Sequence, residues 1–278
     1  MNAVRINPLA TPTPADAQGG ALLRVTDVEK AYGSRGAVTH ALAGVSFAIE
    51  AGEFVAVMGP SGSGKSTLLN CISTIDQVSG GHIVLNGRDI TELRGRELSR
   101  FRRESLGFIF QDANLLDTLT GFENIALALT IKGVSAGQVR ERVDRVSKLL
   151  GVEDVLDKRP NQMSGGQRQR VAAARAIVGD PRLVLADEPT GALDSRNTAV
   201  LLETLEVLNA KLGSTIIMVT HDAFAASHAG RVLFIKDGKL FSEVRRGSGS
   251  REDFYTRILE VQAFLGGRTG SVAPRHAR

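Results

Sequence analysis

The 278-residue sequence can bury a large core in one domain or two, and its balance of 42% hydrophobic to 23% charged residues is that of a globular chain. A formal charge of +4 is too mild to argue for nucleic acid, and no apolar run reaches the ~18–20 residues that span a bilayer. The N-terminus lacks the charged-then-apolar layout of a secretory signal, and the single cysteine, Cys71, admits no internal disulfide. The expectation is a cytoplasmic protein whose membrane role, if any, comes through a partner.

Residues 1–20, with Pro8, Pro12 and Pro14, read as a disordered tail. Segments 22–28 and 45–49 alternate as half-buried strands, with Tyr32 in the loop between them. Segment 53–58 reads as a buried strand and 66–73 as the first turns of a helix. Between them, Gly59-Pro60-Ser61-Gly62-Ser63-Gly64-Lys65-Ser66, followed by Thr67, fits G-x-x-x-x-G-K-[ST]. Strand, loop and helix in that order are the context a phosphate-binding loop requires. Its glycines let the backbone curl so that successive N–H groups face phosphate oxygens, and the helix N-terminus adds partial positive charge. Lys65 would reach the β- and γ-phosphates, and the Ser66 hydroxyl would ligate Mg²⁺. The chain is expected to bind a nucleoside triphosphate.

Further on, 82–85 reads as a strand closed by the turn pair Asn86-Gly87. Arg94, Arg96, Arg100, Arg102 and Arg103, with Glu92, Glu97 and Glu104 among them, read as a solvated mixed-charge helical face, with no aromatic platform for nucleic acid. A strand at 106–110 ends at Gln111, and 120–150 reads as helices with Val143, Val146, Leu149 and Leu150 on one stripe. Ser164 begins a helix that runs to about Val178, before Asp180-Pro181. The apolar strand 183–186 then delivers Asp187 and Glu188 to its C-terminal end, where an open α/β sheet places its ligands. Asp187 would hold Mg²⁺, through water, and Glu188 would orient or deprotonate the water that attacks the γ-phosphate. A helix over 195–212, capped by Asp194 or Ser195, a buried strand at 215–219, a hairpin about Asp237-Gly238 and a last helix over 251–265 complete the pattern. Residues 266–278 read as a second flexible tail.

This layout predicts an α/β fold: a P-loop nucleoside-triphosphatase core over 21–245, interrupted by a helical subdomain at about 112–178 and followed by a C-terminal helix within 246–265. The string Ser164-Gly165-Gly166-Gln167 suggests a second anion site, because Ser164 caps a helix and the glycines bare its first N–H groups. Two half-sites per chain would allow two chains, paired head to tail, to complete two ATP sites.

With the phosphate loop and the Asp187-Glu188 strand, that string resembles the ATP-binding-cassette ATPases, over residues 22–244. The resemblance implies ATP and Mg²⁺ as cofactors, a homodimer, and a transmembrane permease partner on the inner face of the membrane. It implies that Tyr32 stacks on adenine and that Gln111 touches Mg²⁺ and the attacking water and signals to the permease. It also implies that Gly191-Ala192-Leu193-Asp194 crosses the dimer interface and that His221 contacts the γ-phosphate. Lys65, Gln111, Glu188 and His221 are thus the expected catalytic set. Segments 72–76, 186–195, 220–226, 234–239 and 254–267 are similar to one branch, the bacitracin-resistance type of peptide-antibiotic transporter ATPase, akin to macrolide-exporter and lipoprotein-release ATPases. Gly191 departs from the serine often found there in the wider family. Lipoprotein release, or cell division through a membrane partner that transports nothing, is the alternative use of the same chemistry. A DNA-maintenance ATPase is disfavoured, since the interval from Ser66 to Asp187 carries neither heptads nor clustered cysteines.

Overall fold

The computed structural model describes residues 20–33 and 38–266, so the predicted tails lie, but for Gly20 and Gly266, outside the described residues. In chain order the elements are β1 (Ala21–Tyr32), β2 (Thr39–Glu50), β3 (Phe54–Met58), α1 (Lys65–Ile72), β4 (Gly80–Leu85), β5 (Arg88–Asp89), α2 (Gly95–Ser105) and β6 (Leu106–Ile109). There follow α3 (Gly121–Ile131), α4 (Ala136–Leu150), α5 (Gly165–Ile177), β7 (Leu183–Asp187), α6 (Ser195–Leu212), β8 (Thr215–Val219), α7 (Ala223–Ala226), β9 (Arg231–Lys236), β10 (Lys239–Arg245) and α8 (Arg251–Leu265). Two sheets form. One is antiparallel in the order β2-β1-β4-β5; the other runs β10-β9-β3-β8-β7-β6, parallel throughout except for the β9–β10 hairpin.

Strands β3 and β8 are buried at every residue, as parallel strands covered on both faces must be. Their alternation divides the core. Val55, Val57, Leu185, Ile217, Val219 and Leu233 face α1 and the antiparallel sheet. Phe54, Ala56, Met58, Ala186, Met218 and Phe234 face a second cluster that contains the buried stripes of α3–α6 and α8. All four strands β3, β6, β7 and β8 therefore run the same way, and the residues at their carboxyl ends (Met58, Ile109, Asp187, Val219) emerge on one edge.

The helical segment is held by local polar chemistry. Thr120 and Glu123 form a capping box at the start of α3, and fully buried Asn124 ties the preceding loop by bonds to Leu116, Leu119 and Thr120. On α4, Val143, Val146 and Leu150 are buried and Leu149 is partly so. Cys71 is packed inside, with burial pushing its thiol up to about 11.

Some expectations change. Both N-terminal strands are longer than their alternation suggested, and Tyr32 closes β1 rather than lying in a loop. The reason is cross-strand pairing with β2 and β4, which carries polar residues into the ladder. The arginine-rich segment is helix α2, yet its face is not wholly solvated: Arg102 donates to the hydroxyl and carbonyl of Thr74.

Arg231 joins the two sheets. Its side chain is 6% exposed, bridges Glu53 (2.7 Å) and Glu243 (3.2 Å), and donates to the Ala48 carbonyl on β2. Removing the cation leaves the half-buried Glu53 carboxylate without its ion pair and leaves Glu243 with Arg245 alone. Arg231→Met should lower unfolding free energy in urea by about 3 kcal/mol; an unchanged midpoint would show that the clamp contributes nothing.

Candidate active site

The phosphate loop leaves β3 through backbone shapes that only glycine adopts easily: Gly59, Gly62 and Gly64 have φ of 154°, 77° and 104°. Two of them are also forced by contact. A Cβ on Gly59 would lie 2.0 Å from the Ile235 carbonyl oxygen, and one on Gly64 would lie 2.3 Å from that of Ala41. Gly64 begins α1 with no side-chain cap, so the first-turn N–H groups are not consumed locally. Gly238 donates to the Ser63 carbonyl (3.1 Å), fastening the loop to the β9–β10 turn. The Lys65 ammonium donates to the carbonyls of Gly59 and Pro60, both at 2.9 Å, which holds it across the mouth of the loop. Burial pulls the Lys65 pKa down, while the carboxylates of Glu188 and Asp187 push it back up.

Those carboxylates stand at the end of β7, which runs parallel to β3 and is separated from it in the sheet by β8. Burial, reinforced by the Glu188 charge, raises the Asp187 pKa; Lys65 and a hydrogen bond from the Ser66 hydroxyl oppose it. Asp187 Oδ1 is buried without a hydrogen-bond partner, as is Ser63 Oγ. Glu188 has φ of 47°, a left-handed backbone costing a non-glycine residue about 1–2 kcal/mol. The strain is held by its N–H bonded to Val219 O (2.9 Å) and its carbonyl bonded by Gly191 N–H (3.0 Å). Its Oε1 lies 2.9 Å from Nδ1 of His221, whose side chain is 75% exposed. Gln262 on α8 donates to the His221 carbonyl at 2.9 Å. Gln111 is exposed and lies against Gly191, where an added Cβ would come within 3.1 Å of the Gln111 amide. The glycine in place of a side chain thus leaves that amide room.

The donors fit Mg²⁺. Among the described residues no cluster of three His, Cys, Asp or Glu side chains could cage a metal unaided. Mg²⁺ asks for less: one or two carboxylates plus phosphate oxygens and water. The unpartnered Asp187 oxygen, with the Ser66 hydroxyl beside it, is such a donor set.

Tyr32 is placed by two residues that the sequence did not single out. Its hydroxyl donates to Asp76 Oδ2 (2.6 Å), and Lys30, also bonded to Asp76, lies 4.7 Å from its ring centroid. Against burial, which raises it, the hydrogen bonds from Lys30 and Tyr32 hold the Asp76 carboxyl below its usual pKa. Tyr32 remains 43% exposed, so its ring offers a surface on which a base can stack. Lys30 is two residues before Tyr32 and so shares its strand face, a signal legible in principle; Asp76, far off in the chain, gave none.

The second predicted half-site is a different structure. Ser164 accepts from the Gln167 N–H (3.2 Å), and Gln167 Oε1 accepts from the Ser164 N–H (2.9 Å), a capping box that leaves the N–H groups of Gly165 and Gly166 at the open end of α5. Gly166 is required by packing, since a Cβ there would sit 1.9 Å from Asn197 Oδ1. Asp194 caps α6 through the Asn197 N–H and side chain, both 2.8 Å. Among the described residues no hydrogen bond joins Ser164–Gln167 to Gly59–Thr67.

The fold and this edge define a P-loop ATPase with a helical insertion. Known proteins agree. The ABC transporter family matches residues 42–191. The bacitracin export ATP-binding protein BceA of Halalkalibacterium halodurans is 48% identical over 247 residues, which is 89% of this chain and 98% of that protein. A macrolide export ATP-binding/permease protein of Hyphomonas neptunium is 44% identical over 84% of this chain, which spans only 36% of it. A dimeric ATP-binding cassette in a post-hydrolysis state, bound to ADP and Pi, superposes with a TM-score of 0.73 at 39% identity, over 80% of this chain and 98% of that one. The chain belongs to the ABC transporter ATP-binding family: it is an ATP-binding, ATP-hydrolysing subunit. Among the described residues no helix is long and apolar enough to cross a membrane.

Stacking predicts the outcome at Tyr32. Tyr32→Ala should raise the Kd for ATP about tenfold or more, whereas Asp76→Ala, which loses only the tether, should raise it about 2–5-fold. Fluorescence titration checks both, and an unchanged Kd in Tyr32→Ala would remove the ring from the site.

Proposed function

We propose that this chain hydrolyses ATP as one half of a two-chain sandwich and so drives a separate membrane permease that handles a peptide antibiotic of the bacitracin kind. The observation that carries the chemistry is the convergence of Lys65, Ser66, Asp187, Glu188 and His221 on one sheet edge. The reading of two chains rests on the distribution of parts, with the capped end of α5 unconnected to the phosphate loop of its own chain, and on the dimeric cassette it resembles. The peptide-antibiotic class rests on the bacitracin export relative. The position of action is the cytoplasmic face of the membrane, with the permease seated near Gln111 and the helices that follow.

In this reading the loop N–H groups and Lys65 hold the β- and γ-phosphates, with Lys65 exchanging its carbonyl partners for phosphate oxygens. Ser66, Asp187 and Gln111 would hold Mg²⁺, which when bound neutralises charge on the phosphate oxygens. Tyr32 carries the adenine. Glu188, positioned by its strained backbone and by His221, takes a proton from water as that oxygen attacks the γ-phosphorus and the bond to the ADP oxygen breaks. The N–H groups of Gly165 and Gly166 on the second chain meet the γ-phosphate from the opposite side, with Ser164 and Gln167 fixing that helix end and the Asp194 loop lying along the seam. Binding closes the pair, and loss of phosphate lets it open.

Glu188→Gln separates these steps. ATP affinity should stay within about twofold while turnover falls about 100-fold or more, and light scattering in saturating ATP should show a dimer. A variant that stays monomeric with ATP bound would remove the sandwich.

A further inference from the structure

Helix α5 presents Gly166, Gln169, Ala173, Ala176 and Ile177 to the interior, a helical stripe in which one member is polar. Gln169 is 2% exposed, so its amide must find partners inside. Both go to backbone on the catalytic edge. Its Nε2 donates to the Phe110 carbonyl at 2.6 Å and to the Pro189 carbonyl at 2.9 Å. These use the full donor capacity of one side-chain amide.

The partners lie next to working residues. Phe110 immediately precedes Gln111, and Pro189 immediately follows Glu188. Glu188 sits in a left-handed backbone, so the chain after it needs external anchoring, and Gln169 supplies one of the anchors on its C-terminal side. The side chain of Gln111 lies against Gly191, three residues beyond Glu188, so the two loops also touch directly. The N-terminal end of the same helix is the Ser164 cap, five residues and little more than one helical turn away. One side chain therefore fastens three parts: the Gln111 loop, the turn after Glu188, and the helix whose open end would face another chain's nucleotide.

We propose that Gln169 is a positioning residue for ATP hydrolysis, a brace that sets Glu188 and Gln111 in register with the Ser164 end of α5. Movement of α5 shifts both loops together, because both hang on one amide. A residue that served only to satisfy two carbonyls would support stability and leave turnover alone. This proposal rests on the reading of Glu188 as the group that activates water.

The test uses the full chain and measures kcat, KM and ATP Kd beside thermal stability. Gln169→Met keeps length and packing and loses both donors; kcat should fall about tenfold or more while KM and Kd stay within about twofold. Gln169→Glu keeps the shape, but its carboxylate faces two carbonyl oxygens, and only the protonated form donates to one of them. Its kcat relative to wild type should rise as pH falls from about 8 to 6, since burial among carbonyls raises a carboxyl pKa. If Gln169→Met does not fold, the pH response of Gln169→Glu decides alone. Wild-type kcat in both variants, a lowered melting temperature as the sole effect, or a flat pH ratio would overturn the proposal. Wild-type turnover in Glu188→Gln would instead overturn the reading beneath it, a distinguishable result.

Discussion

The first turn of α1 carries N–H groups that no side chain caps, and the surroundings exist to aim them at one point. That requires the backbone to leave β3 and curl within a few residues, which Gly59 and Gly64 allow because any Cβ would strike the Ile235 or Ala41 carbonyl. A cluster of partial positive charge with Lys65 across it would be unstable beside a positive neighbour. Strand β7, beyond β8 in the same sheet, instead delivers two carboxylates, and the opposing pKa shifts of Lys65 and Asp187 record the tension: burial disfavours both charges, and each charge offsets the other's penalty.

Parallel strands make that meeting possible. Because β3, β6, β7 and β8 run the same way, their carboxyl ends bring Gly59, the Gln111 loop, Asp187-Glu188 and His221 to one edge, although they span residues 59 to 221 in sequence. Helical parts then set the fine geometry. Gln169 on α5 holds two of the loops and Gln262 on α8 holds the third through the His221 carbonyl. Rigid elements thus impose positions that the loops, with φ of 47° at Glu188, would not choose.

Much of this was legible beforehand, and the limits have physical causes. Buried parallel strands read as apolar runs, caps read as Ser, Thr or Asp ahead of helices, and the phosphate loop has a spacing dictated by backbone geometry, so β3, β7, β8, α5 and α6 stood out. Three strands of the antiparallel sheet stood out as well, at 22–28, 45–49 and 82–85, but the full length of the first two did not, because cross-strand pairing extends them, which moved Tyr32 out of a predicted loop and into β1. Gln169, Asp76 and Gln262 were missed for a related reason. Each acts through one hydrogen bond or two to residues 41 to 59 positions away, or to a nearer loop brought close by the sheet, and no local pattern marks them. Gln169 offered a faint sign, a polar residue on an otherwise apolar stripe.

A site assembled from two chains has a signature that needs no variant. The rate of phosphate release per chain, followed over a roughly hundredfold range of chain concentration at saturating ATP, should rise with concentration and then level off as the pair fills by mass action. A constant rate per chain, with light scattering showing monomers throughout, would mean that one chain suffices, and would contradict the shared site.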